Sequence, residues 1–325
     1  MSLSGKVSIV TGGGRGLGRE YALALAAAGS SVLVCDLPDE RDPGQQQTVA
    51  EQVAAEIVAR GGRAAPCHGS VATWDGAQAI VQAALDQFGD LHIVVNNAGL
   101  SESATILETS EATWNAVLAV NLGGSAALTH WAARYWRDRG PQPGRAIVNI
   151  SSPAGANPIA GIAAYCAAKA AVIALTLSSA EELAALGVRV NAVAPMARTR
   201  LTEGTPIEHL VAPPTDGSFD QHAPQYVAPL IVYLASPQCR LTGHLLGAEG
   251  DDIFVLQGWT AEHHFTNDEQ PWSLEELHEV LGKYPQQTRY WELFPGPDAR
   301  RRAVTPSDAA LAALREVEAA ARPAS

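Results

Sequence analysis

Short apolar runs rich in β-branched residues recur along most of the chain, each followed by a longer Ala-rich stretch with helical spacing. Val7–Val10, Ser31–Cys35, Ile93–Val95, Ala146–Ile150 and Arg189–Val193 read as strands, and the stretches between them as helices. These strands are apolar throughout rather than alternating, so both faces of their sheet must be covered, and helical crossovers place the cover there. The pattern predicts an α/β fold, a doubly wound parallel sheet with helices on both faces, over about residues 1–260. A chain of 325 residues that is 47% hydrophobic has enough apolar surface for such a core, which excludes a chain disordered throughout.

Two segments stand outside this alternation. Met196–Tyr226 carries Pro206, Pro213, Pro214 and Pro224 with little periodicity, directly after a predicted strand end. Ligands of open α/β sheets bind at strand ends, so a substrate lid is expected at about 196–226, with Met196, Leu201, Ile207, Leu210 and Val211 as apolar cover; a variable surface excursion is the alternative. Beyond Trp259 the composition turns to charge and aromatics, and residues 261–325 read as a C-terminal extension, partly helical. Within it, Ser273–Lys283 sets Leu274, Leu277, Val280 and Leu281 on one helical face that needs a docking surface, and a second, Ala-rich helix is expected from about Ser307.

Charge narrows the function. Thirty-four acidic residues against 22 basic ones give a net charge of −12, which argues against a nucleic-acid partner and for a small molecule. Four cysteines, Cys35, Cys67, Cys166 and Cys239, lie far apart with no C-x-x-C pair, so reduced thiols are expected rather than a disulfide framework or zinc knuckle. Val7–Val10 is too short for a signal peptide, and no stretch reads as the roughly 20 apolar residues of a membrane span. The expectation is a cytoplasmic protein. His263-His264 lacks a further ligand at suitable spacing, and no metal is assigned.

Between the first strand and first helix lies Thr11-Gly12-Gly13-Gly14-Arg15-Gly16-Leu17-Gly18, spaced G-x-x-x-G-x-G. Glycines there let backbone amides approach a pyrophosphate and aim a helix N-terminus at it, although a glycine-rich turn alone is a weak signal. Asp36 ends the second strand eighteen residues beyond Gly18, near the spacing at which a carboxylate meets the adenosine ribose. Accepting from a 2′-hydroxyl and repelling a 2′-phosphate, it favours NAD over NADP, while Arg15 pulls the other way. Farther on, Ser151-Ser152 follows a strand, and Tyr165 and Lys169 stand i and i+4 on one helix. They share a face, and an ammonium close to the phenol is expected to lower its pKa and suit it to proton transfer.

These residues, with Asn96-Asn97-Ala98-Gly99 and Asn121, make the chain resemble the short-chain dehydrogenase/reductase family over about residues 1–259, with the motifs in the family's order. The resemblance implies a Rossmann fold and a catalytic tetrad. Tyr165 would be the general acid/base, Ser152 would hydrogen-bond the reacting oxygen, Lys169 would tune Tyr165 and hold the nicotinamide ribose, and Asn121 would order a relay water. It further implies cofactor contacts at Gly12, Arg15, Gly16, Leu17 and Gly18, at Asp36, Leu37, Ser70 and Val71, at Asn97, Ala98 and Gly99, and at Tyr165, Lys169, Pro195, Met196 and Thr199. A homodimer or homotetramer is implied as well. Trp131, Tyr135 and Trp136 read as packing, within the chain or between subunits.

Within the family, GLGREYALALAAAG, CDLPD and the stretch from Pro224 to Leu230 are most similar to the (3R)-hydroxyacyl-CoA dehydrogenase and 17β-hydroxysteroid dehydrogenase-like group, here with no hydratase sequence following. Three departures stand out: Met196 where the family has glycine, Gly69-Ser70-Val71 where an acidic residue often meets adenine, and the extension after Trp259. The expected activity is NAD-dependent hydride transfer between nicotinamide and a secondary alcohol or ketone. A non-catalytic dinucleotide sensor or scaffold is the alternative, which shared architecture alone does not exclude.

Overall fold

The computed structural model describes residues 2–38, 46–200, 202, 208–256, 265–267 and 271–282. Eight strands form one sheet: β1 (Val7–Thr11), β2 (Ser31–Cys35), β3 (Arg63–Cys67), β4 (Ile93–Asn96), β5 (Arg145–Ile150), β6 (Val188–Pro195), β7 (Leu245–Glu249) and β8 (Asp252–Leu256). Their order is β3-β2-β1-β4-β5-β6-β7-β8, all parallel except β8, which runs antiparallel to β7. The order reverses between β1 and β4, which opens a crevice at their C-terminal ends.

Helices α1 (Gly16–Ala27), α2 (Val49–Ala59), α3 (Trp74–Phe88), α4 (Glu111–Leu118), α5 (Gly124–Asp138), α6 (Pro153–Ala156), α7 (Ala163–Leu183), α8 (Ala228–Ala235) and α9 (Leu274–Leu281) follow in sequence. On one face of the sheet, α1, α2 and α8 meet Val10, Val34, Val95 and Val148; on the other, α3, α5 and the end of α7 meet Ile9, Leu33, Val94 and Ile147. Alternate residues of each strand thus serve two cores, as continuous apolar strands require. The predicted doubly wound sheet is the one observed.

Three strands are absent from the sequence reading: β3 and β8, the two edges of the sheet, and β7 beside β8. Arg63-Ala64-Ala65-Pro66-Cys67 has no β-branched residue and carries a proline, which an edge tolerates because one row of N–H groups has no ladder partner. A second correction concerns α7. With the turn after it, Ala163–Leu186 is 24 residues long and its most apolar 18 residues have a mean hydropathy of 1.4, enough by length and composition to cross a membrane. Instead it packs on the sheet beside β6, with Ile173 against Ala192 and Ala194, Ala180 in the cluster with Val188 and Val190, and Thr176 bonded to Asn149 of β5, while Ala164 and Ala168 meet Val117 of α4. Trp131, Tyr135 and Trp136 all bond within the chain, to Trp74 O, Asp90 and Leu91 O.

A buried polar network ties the centre of the sheet to α7. Asn96 Nδ2 donates to Asn149 Oδ1 at 2.8 Å, and Asn149 Nδ2 donates to Thr176 Oγ1 at 2.9 Å. Asn149→Ala is expected to lower stability by about 1–3 kcal/mol, because it strips partners from two buried polar groups. A thermal melt matching the wild type would contradict this.

The chain divides into two compact units, Met1–Lys283 and Tyr284–Ser325, the second wholly outside the described residues. The first includes α9, whose Ser273–Glu276 capping box explains its start. None of its residues is buried: Leu274 is 82% and Leu281 54% exposed. His263-His264 and the Ala-rich segment from Ser307 lie outside the described residues.

Candidate active site

The glycine loop leaves β1 at Thr11 and enters α1. Gly12 and Gly16 occupy the left-handed region, at φ +63° and +49°, and a Cβ on Gly18 would stand 2.0 Å from the Gly12 carbonyl oxygen. Only glycine allows that approach. Arg15, the N-cap of α1, makes no side-chain cap bond, so the first turn keeps N–H groups for an anion at the positive end of the helix dipole. Leu17, on this first turn, packs against the α1-side core.

Beside the loop, Asp36 Oδ2 accepts the Gly14 N–H at 2.9 Å, and the Asp36 N–H donates to Cys67 O at 3.0 Å. Leu37, next in sequence, is 50% exposed. Ser70 Oγ accepts the Ala72 N–H at 3.2 Å, and Val71 lies against the start of α5, 2.8 Å from where a Cβ on Gly124 would be. The turn after β4 is clamped to the glycine loop. Asn97 Nδ2 donates to Thr11 O and Gly12 O at 2.9 and 3.1 Å, while the N–H groups of Asn97 and Ala98 both donate to Thr11 Oγ1 at 3.1 Å. Spacing arguments overlooked Thr11 as a clamp; its only signal is a hydroxyl directly before the first glycine.

The segment after β6 closes the other side. Pro195 pairs with Ala248, and the Met196 N–H donates to Ala248 O at 2.8 Å. Thr199 Cγ2 stands 3.7 Å from where a Cβ on Gly16 would be, so this segment reaches the phosphate loop.

Ser152, Tyr165, Lys169 and Asn121 come from three neighbouring elements. Ser152 caps α6 by accepting the Ala154 N–H at 3.1 Å, and its hydroxyl is close enough to the Tyr165 phenol to favour the ionised form. Ser151 turns the other way and donates to Lys169 O at 2.8 Å. Gly155 makes this arrangement possible, since a Cβ there would lie 2.6 Å from the Lys169 carbonyl carbon. Lys169 is buried, 3% exposed, and its Nζ donates to Ile150 O at 2.8 Å and sits 5.6 Å from the Tyr165 ring centroid. Burial pulls its pKa down to about 8.

The phenol departs from expectation. Burial raises the Tyr165 pKa, opposed by the Ser152 hydroxyl. Desolvation dominates, and Lys169 stands toward the ring and bonds a carbonyl instead of the phenol oxygen. Asn121 sits in a widened π turn, Ala119–Gly123, between α4 and α5. Its Nδ2 donates to Leu100 O and Val117 O at 2.8 and 2.9 Å, and its Oδ1 is buried without a hydrogen-bond partner among the described residues. That oxygen and Lys169 Nζ lie 2.6 and 3.5 Å from where a Cβ on Gly99 would be, so an acceptor and a donor border one corner of the crevice.

A family model described as short chain dehydrogenase matches residues 6–206. The chain belongs to the short-chain dehydrogenase family. Hydroxyacyl-CoA dehydrogenase ChsB1 of Mycobacterium tuberculosis is 37% identical over 87% of this chain and 89% of its own length. A 3-oxoacyl-[acyl-carrier-protein] reductase of Synechocystis is 36% identical over 77% of this chain and 97% of its own. Peroxisomal multifunctional enzyme type 2 of Drosophila melanogaster is also 36% identical, over 80% of this chain and 40% of that longer protein. Among solved structures, a short chain dehydrogenase from Mycobacterium avium superposes with a TM-score of 0.77 at 40% identity, over 87% of this chain and 95% of that one. As a short-chain dehydrogenase the protein is an oxidoreductase that uses a nicotinamide dinucleotide. Its residues fit that group: the glycine cradle admits a pyrophosphate, and the buried Asn121 Oδ1 awaits a donor in the crevice.

In this short-chain dehydrogenase the described part of the 196–226 excursion is anchored. The Arg198 N–H donates to His222 O at 2.7 Å, its Nη1 donates to Val211 O at 2.8 Å, and its guanidinium pairs with Asp220. His222 Nε2 meets Glu249 Oε1 at 3.0 Å at the end of β7. Val211 is buried and Met196 half-buried, whereas Leu201, Ile207 and the Leu210 side chain lie outside the described residues.

Proposed function

We propose that this short-chain dehydrogenase is NAD-dependent and oxidises the hydroxyl of a (3R)-hydroxyacyl thioester, or reduces the matching ketone, with hydroxysteroids as a second substrate class. The meeting of Ser152, Tyr165 and Lys169 at the mouth of the crevice carries the reading, since a sensor or scaffold needs no proton donor.

Gly12, Arg15, Gly16, Leu17 and Gly18 would hold the pyrophosphate, Asp36, Leu37, Ser70 and Val71 the adenosine, and Asn97, Ala98 and Gly99 the wall between. Tyr165, Lys169, Pro195, Met196 and Thr199 would surround the nicotinamide half, which when bound supplies the hydride acceptor. Ser152 then orients the substrate oxygen, Tyr165 takes or gives its proton, Lys169 stabilises the phenolate and binds ribose hydroxyls, and Asn121 orders a relay water.

The names of the relatives support an acyl substrate, as do exposed apolar side chains on the segments that follow β4 and precede α7. The Ala104 N–H donates to Gly161 O at 2.8 Å, and the two segments joined there expose Ile106, Leu107 and Ile159. We further read the exposed groove between α5 and α7, lined by Ala126, His130, Ala133, Arg134 and Leu175, as a homo-oligomer surface, and the four free thiols as suited to a reducing cytoplasm.

Incubation with NAD and a panel of 3-hydroxyacyl-CoA thioesters and hydroxysteroids should produce NADH, fastest with a thioester. Turnover of simple alcohols but no member of either class would overturn the substrate assignment.

A further inference from the structure

We infer that Cys35 and Cys67 form a peroxide-responsive thiol pair at the adenosine end of the crevice, and that their oxidation to a disulfide lowers dinucleotide affinity. The inference rests on the dinucleotide reading of the crevice and adds a modification site that the hydride-transfer chemistry does not use.

Distant in sequence, the two cysteines are brought together by strand order. β2 and β3 are parallel neighbours, and Cys35 is in register with Cys67 at the C-terminal end of both. Paired residues of a parallel ladder point to the same face, with strands about 4.8 Å apart. That spacing lies inside the Cα separation of about 4.4–6.8 Å that disulfides span. Both side chains join the same apolar cluster beneath α3, together with the edge of Val71.

Their environments divide the roles. Cys35 is 1% exposed, whereas Cys67 is partly exposed because β3 is the sheet edge. The neighbouring Cys35 thiol, the Gly69 backbone and His68 together pull the Cys67 pKa down to about 6 despite some burial. Burial pushes Cys35 well above its ordinary value. Cys67 is therefore the nucleophile and Cys35 the resolving thiol.

Hydrogen peroxide is the oxidant. The Cys67 thiolate attacks one peroxide oxygen, the O–O bond breaks, hydroxide leaves, and Cys67 becomes a sulfenic acid. The Cys35 sulfur then attacks the Cys67 sulfur, the S–S bond forms, the S–O bond breaks, and the Cys35 proton leaves with the hydroxyl as water.

The consequence for binding follows from what hangs on these residues. Cys35 O accepts the Gly13 N–H at 3.0 Å, Cys67 O accepts the Asp36 N–H at 3.0 Å, and Asp36 Oδ2 accepts the Gly14 N–H. A disulfide needs Cβ atoms about 3.8 Å apart with a dihedral near 90°. Closing it draws the ends of β2 and β3 together, and through these three hydrogen bonds it moves Asp36 and the phosphate loop at once.

The test uses the reduced full-length protein, with NADH affinity followed by fluorescence before and after hydrogen peroxide. Oxidation should remove two thiols, lower the intact mass by two hydrogens, and yield a peptide linking Cys35 to Cys67. NADH Kd should rise at least about tenfold and recover with dithiothreitol. Saturating NADH added first should slow the reaction. Cys67→Ser should abolish the affinity response, and Cys35→Ala should stop at a sulfenic acid on Cys67, trapped by dimedone. A response that survives Cys67→Ser, a different linkage, or the expected linkage with unchanged Kd overturns the inference. Failure of the dinucleotide reading would show earlier, as reduced protein that binds neither NADH nor NADPH.

Discussion

Replacing Tyr165 by Phe is expected to lower kcat by about 10²–10⁴, the range assigned to a positioned general acid or base, while leaving NADH affinity within about twofold. The ring packs with Val117, Ala164 and Ala168, and Phe preserves that contact. What it loses is the phenol oxygen beside Ser152, so a loss of kcat without a loss of binding separates proton transfer from packing. In the oxidation direction Tyr165 must act as a phenolate, and burial holds its pKa above the ordinary phenol value. The wild-type rate should therefore climb with pH into the alkaline range. Below about 8 the Lys169 ammonium is present to favour the phenolate, and above it that help fades as the amine loses its proton. The two groups titrate against each other and share macroscopic pKa values. Lys169→Ala should therefore cost most below about 8 and move the alkaline rise little, whereas Tyr165→Phe should flatten it. A Tyr165→Phe variant that keeps most of its kcat, or the wild-type pH profile, would remove Tyr165 from the role of acid/base.

How much of this site the sequence could disclose depends on which residues local spacing brings together. Tyr165 and Lys169 are one helical turn apart, and Asp36 and the glycine loop lie at consecutive strand ends, so periodicity alone places them. The central strands were legible for a related reason: sandwiched between helix layers, they are apolar without interruption. Arg63–Cys67 and Asp252–Leu256 were not, because an edge tolerates proline and charge. Other features depend on contacts between distant segments. Thr11 gains its role from a turn that begins at Asn97, Gly155 from the backbone of Lys169, and Cys35 from the neighbour that strand order gives it. The direction of the Tyr165 shift belongs with these. Charge is visible in a sequence, but the burial that opposes it is a property of the packed helix.

Removing the Asp36 charge should produce the other large effect, a change in cofactor preference. A carboxylate near 4 Å from a 2′-phosphate costs roughly 4 kcal/mol per pair of unit charges at an effective dielectric of 20, and solvent at the half-open site reduces this. Replacement is therefore expected to change the ratio of kcat/KM for NAD to that for NADP by about 10²-fold, taking tenfold per 1.4 kcal/mol. Two substitutions separate the causes. Asp36→Asn keeps an oxygen to accept the Gly14 N–H, now 2.9 Å from Oδ2, and so preserves the loop while removing the charge. Asp36→Ala removes both, and should add a loss of affinity for either cofactor as Gly14 loses its acceptor. If electrostatics sets the preference, Asn alone produces most of the shift, chiefly by raising NADP turnover. If loop support dominates, Asn resembles the wild type and only Ala weakens binding. Wild-type turnover with NADP equal to or better than that with NAD would reverse the assignment and give Arg15, at the N-cap of α1, the decisive charge.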